Sequence, residues 1–133
     1  MDKHGRGLGE IMKAGKIVED FGALFIDRVW DNTVDTMGMI IDGKMKSERA
    51  QKLYAKINAL DDNAKGVIKE VIMEAIGQNT FNVLQFFEEE EEYIIGFNGE
   101  EGITDLKELS DGLAGELYSE DGWIEKYSKT KIE

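Results

Sequence analysis

This chain has no cysteine, no proline and a single histidine. Without cysteine there are no disulfides, no thiolate nucleophile and no cysteine-ligated zinc. Without proline, turns have to be made by glycine and by Asp or Asn, and nothing of that kind breaks a long helix. The one histidine, His4, lies among glycines near the N-terminus. A serine or cysteine nucleophile would have no fixed imidazole beside it, and a Glu-x-x-His di-iron pattern needs two such histidines. No stretch reaches the roughly 18 apolar residues of a membrane-spanning helix, and "MDKHGRGLGEIMKAGK" has no apolar run after its basic residues. These absences lead us to expect a cytoplasmic protein that makes no membrane contact.

Positive charge is also scarce. The 133 residues carry 28 acids against 16 bases, a net charge of −12. Affinity for nucleic acid comes from neutralising phosphates with Lys and Arg, so free nucleic acid is an unsuitable partner. The same field steers a basic protein inward. Apolar residues at 41% and charged residues at 33% fit a globular chain with a charged surface. The expectation is one domain spanning 1–133, with 1–9 and 128–133 flexible.

The apolar spacing is helical over most of the length. Between about 10 and 42, Ala14, Val18, Phe21, Phe25, Val29, Thr33, Met37 and Ile40 share one face, and Ile26, Trp30, Val34 and Ile41 widen it. Asp20, Asp27, Asp31, Asp35 and Asp42 fall opposite, which predicts a solvated acidic ladder. Gly43 is placed to end this helix. Ser47 can cap a second, with Ala50, Leu53, Tyr54, Ile57 and Leu60 inward. Asp61 or Asp62 can cap a third. "GQNT" at 77–80 leaves open whether 64–90 is one helix or two. Thr104 can cap a helix carrying Leu106, Leu109, Leu113 and Leu117, and Ser119 a short last one with Trp123 and Ile124. The fold class is therefore all-α: a bundle of about five helices, with one short extended segment near 93–97. Asn98-Gly99 is a hairpin signal, though no second strand of matching character follows.

Two ligand loops are approached and fail. "GEIMKAGKI" has one residue too many for a phosphate loop, and Ile17 stands where a hydroxyl is needed. "DDNAKGVIKEVI" has Lys65 in place of a calcium ligand and Ile72 where the bidentate Glu belongs. No catalytic, metal-binding or cofactor-binding residue is assigned. Carboxylates are what remain. In "FFEEEEEYIIGF" a glutamate run sits at a helix C-terminus, where the macrodipole disfavours acids, so a use for it is a reasonable suspicion.

Glu88, Glu89, Glu91, Glu92 and Tyr93, with Asp27, Asp31 and Asp35, are the candidate partner-binding residues. The expected function is a small binding module for a basic protein, of the immunity, antitoxin or inhibitor type. Two alternatives stand beside it. One is a Mg²⁺-dependent nucleotide hydrolase whose metal is held by carboxylates alone, with Lys65 and Lys69 near Glu70 for phosphate. The other is a structural helical protein, for which the wide apolar face of the first helix would favour a homodimer.

Overall fold

The computed structural model describes residues 7–130 and 132. The protein is mostly helical, with one small antiparallel sheet. α1 spans Leu8–Phe25, a π-helical turn covers Ile26–Asp31, and α2 follows at Asn32–Ile41. α3 is Glu48–Asn58, α4 is Asp62–Glu89 and α5 is Trp123–Tyr127. β1 (Gly96–Gly99) pairs with β2 (Gly102–Asp105). With Leu8 to Ile41 as one continuous run, the described helices number four rather than about five.

The chain groups into two compact units. Among the described residues, one comprises those up to Ile26 with Phe81–Tyr127, the other Asp27–Thr80 with those from Ser128 onward. In the first, Ala14, Val18 and Gly22 recur every four residues on the buried side of α1, as helical spacing requires. Trp123 is fully buried and packs edge-on to Phe21, with ring centroids 5.7 Å apart. Gly22 lies under the same indole, where a Cβ would overlap the ring. Ile26, Leu84, Leu106, Leu113, Ala114 and Leu117 complete the buried apolar set of this unit among the described residues.

The second unit buries Trp30, Val34, Ile41, Ala50 and Ile76. Gly43, at φ +75°, terminates α2: the Gly43 N–H donates to Ile40 and the Lys44 N–H to Met39, the paired bonds of a glycine-capped helix end. Ser47 caps α3, accepting from the Ala50 N–H at 3.2 Å. Asp61 caps α4 through the Ala64 N–H at 2.8 Å. Gln51 reaches back across the α2–α3 loop and donates to the Gly43 and Met45 carbonyls at 3.1 and 2.6 Å.

Two sequence expectations change, and the question left open at 77–80 is decided. "GQNT" does not interrupt α4. Thr80 donates its hydroxyl to the Ile76 carbonyl at 2.7 Å within the same helix, and so starts no new one.

The helix expected from Thr104 to Leu117 is not α-helical. Thr104 lies in β2, and short 3₁₀ turns at Leu106–Glu108 and Ala114–Glu116 take the helix's place. Ser110 accepts from the Gly112 N–H at 3.1 Å, a local bond that competes with helical pairing.

The extended segment starts later than expected, at Gly96, and it does find a partner strand. Its turn is Glu100-Glu101 rather than Asn98-Gly99, because Gly102, at φ +115°, supplies the positive angle.

Three residues of the tail have hydrogen-bond partners. Ser128, Lys129 and Thr130 bond to α2 and to the π turn before it.

Candidate functional site

The glutamate run closes α4 and leads into a bend. The Glu90 N–H still donates to the Phe86 carbonyl, and the Glu90 carbonyl accepts from Lys107 Nζ at 3.3 Å, which fixes where the chain leaves the helix. Phe86 and Phe87 meet edge to face at 5.1 Å, and Phe86 meets Tyr93 at 6.0 Å. Phe86, Tyr93 and Ile94 are 47%, 58% and 47% exposed, so this aromatic contact is a surface feature. Glu89, Glu91 and Glu92 are exposed beside it. Glu89 accepts from Gln85 at 2.7 Å, one helical turn back. Glu88 differs: it is half-buried, and its carboxylate accepts from the Ala114 backbone N–H. That oxygen braces the 3₁₀ turn.

The aspartate ladder is split in the same way. Asp27 is exposed, with Arg28 Nε at 3.2 Å. Asp35 is exposed and accepts from the Thr130 hydroxyl at 2.7 Å. Asp31 is only 5% exposed. It accepts from the Ser128 hydroxyl at 2.8 Å and the Lys129 N–H at 2.9 Å. The sequence wheel placed Asp31 in solvent because it assumes 100° per residue throughout. The π turn at Ile26–Asp31 winds at i→i+5, so the assumption fails there. Val29 and Thr33, expected inside, are exposed for the same reason.

A carboxylate that the sequence reading did not single out is the most heavily bonded. Glu19 accepts from Trp123 Nε1 at 3.2 Å, from the Tyr127 hydroxyl at 2.8 Å and from Lys126 Nζ. Burial alone would raise its pKa. The hydrogen bonds from Lys126, Tyr127 and Trp123 outweigh burial and hold the carboxyl below its usual value. The bond to Glu19 raises Lys126 in turn, while burial and then the same bond raise Tyr127. Glu116 goes the other way: burial pushes it up against the hydrogen bond from Ser110. Only the distant pairing of Glu19 with "WIEKY" reveals this cluster, and no spacing within 100 residues encodes it.

Among the described residues no three acids or histidines are grouped to hold a metal ion, and no helix is long and apolar enough to cross a membrane. The chain matches no protein-family model, no curated protein and no solved structure.

Proposed function

We propose that this protein is a cytoplasmic binding module for a basic protein partner, and that the partner docks on the end of α4. The observation that carries this reading is the exposed Phe86–Tyr93 contact set among the exposed carboxylates of Glu89, Glu91 and Glu92. An apolar centre with a charged rim is the usual anatomy of a protein interface. The rim charge sets partner sign and association rate, and the aromatics supply affinity. A net charge of −12 extends the attraction beyond the patch. Glu88 and Asp31 each hold a backbone N–H of the fold, and the reading rests on the exposed residues within 86–94.

The test is capture from native lysate on the immobilised protein, with identification of what is held. The expected result is a basic protein released as salt rises. Glu89→Gln, Glu91→Gln and Glu92→Gln together should cut capture by about tenfold, while Glu100→Gln with Glu101→Gln leaves it intact. Equal loss in both variants would mean that general charge, not this patch, does the binding.

A self-association reading has one observation of its own. Val67 and Val71, one turn apart on α4, are 50% and 61% exposed. Sedimentation that stays monomeric at high concentration removes it.

A further inference from the structure

We infer that a second site lies between α1 and β1, and that it takes an extended peptide by strand addition, with a peptide carboxylate against Lys13. The inference is independent of the α4 patch.

The sheet has only two strands, so each has an outer edge. The Leu106 N–H donates to the Ile95 carbonyl at 2.8 Å, which makes 95 and 106 a hydrogen-bonded pair. Antiparallel pairing alternates, and the register aligns Phe97 with Thr104 and Gly99 with Gly102. Phe97 and Gly99 therefore spend their backbone groups on β2. Gly96 and Asn98 point theirs away from it, and among the described residues no backbone partner meets them.

The same edge residues border a groove. Ile17, Phe21 and Leu24 of α1 line it together with Gly96, Phe97, Asn98 and Leu106. Gly96 has no side chain, so it lines the groove with main-chain atoms alone. The groove measures about 390 Å³, room for a few side chains. An extended peptide satisfies both kinds of lining at once: its backbone meets Gly96 and Asn98, and alternate side chains meet the apolar residues.

Charge gives the peptide its chemistry. The charged side chains of the groove are Lys13, Lys16 and Asp20. Lys16 and Asp20 pair with each other at 2.6 Å. Lys13 has no ion-pair partner among the described residues, and it also lines the continuation of the groove towards the Glu100-Glu101 turn. Glu100 and Glu101 line that continuation and disfavour an anionic chain end there, which leaves Lys13 as the cation for the carboxylate.

The experiment starts with hydrogen exchange on the free protein. The Gly96 and Asn98 amides should exchange fast, and those of Phe97 and Gly99 slowly. Protection of Gly96 and Asn98 would show the edge already covered and end the proposal. A displayed library of peptides of about seven residues with free C-terminal carboxylates is then selected on the full chain. The expected enrichment is of alternating apolar sequences. Their binding should move the Gly96 and Asn98 amide resonances and be abolished by backbone N-methylation.

Asn98→Pro removes an outward N–H and leaves the ladder to β2 intact, since edge positions tolerate proline. It should abolish binding without changing the melting temperature. If that variant does not fold, Lys13→Gln carries the test. It should weaken binding by about tenfold, the scale of one charge-assisted contact, and C-terminal amidation of the peptide should do the same. No enrichment, or enrichment indifferent to N-methylation and amidation, overturns the proposal. So does a dimer that Asn98→Pro dissociates, which would assign the edge to a second copy of this chain.

Discussion

Trp123 has its place set by two residues of α1, and each makes a different demand. Gly22 leaves room for the indole, so Gly22→Ala forces the ring or the helix aside. Overpacking of this kind costs about 1–3 kcal/mol, readable as a lowered urea midpoint. Glu19 holds the indole N–H, and its depressed pKa makes that hold depend on pH. A group whose folded pKa is lowered contributes stability above its ordinary value, here 4.5, and loses it as pH falls through the folded value. Raised Lys126 contributes below its own ordinary value, so it does not oppose Glu19 in acid. In a Trp30→Phe background Trp123 is the sole reporter. Its fluorescence should be flat through neutral pH and change below 4.5. In Glu19→Gln that acid transition should disappear. None of this was legible in advance: sequence named Trp123 as core but could not say which carboxylate would meet it 104 positions away.

Where an element's ends are governed by local bonds, sequence reads them well. Gly43 and Ser47 were assigned to helix ends from residue type alone, as was one of Asp61 and Asp62; Gly43, Ser47 and Asp61 make the bonds their types predict. Ser47→Ala should lower stability by about 1 kcal/mol in denaturant titration, with the α3 amides exchanging faster. Where tertiary context decides, the reading failed in a consistent way. Leu106, Leu113 and Leu117 were named as apolar positions and are indeed buried, yet Leu106 opens one 3₁₀ turn and Leu113 and Leu117 flank another. Apolar spacing reports which residues go inside. It reports conformation only when nothing local, such as Ser110, competes for the backbone. The hairpin was hidden for a related reason: β2, "GITD", is short and ends in a charge, so no alternation could build up. Of the candidate site, the glutamate run and Tyr93 were visible as an anomaly of sequence. That Glu88 would turn inward to Ala114 was not, because its partner lies 26 residues on.

At the scale of the whole molecule, a net charge of −12 means that like charges repel one another in the folded state. Added salt should raise the melting temperature by screening. MgCl₂ and NaCl at equal ionic strength should raise it equally, since no three acids or histidines are grouped for a metal among the described residues. A saturable rise specific to Mg²⁺ would instead support the carboxylate-held metal of the hydrolase alternative.

The hold on α5 has one more consequence. Five residues are too few to keep a helical turn in water, because nucleation fixes several dihedrals for one hydrogen bond. "WIEKY" is thus helical by inheritance and not by its own propensity. Any competitor that claims the carboxylate of Glu19 would free α5 from α1 while Ser128, Lys129 and Thr130 keep their own bonds, and a side-chain event on α1 would be read out as order or disorder of that one turn a hundred residues later.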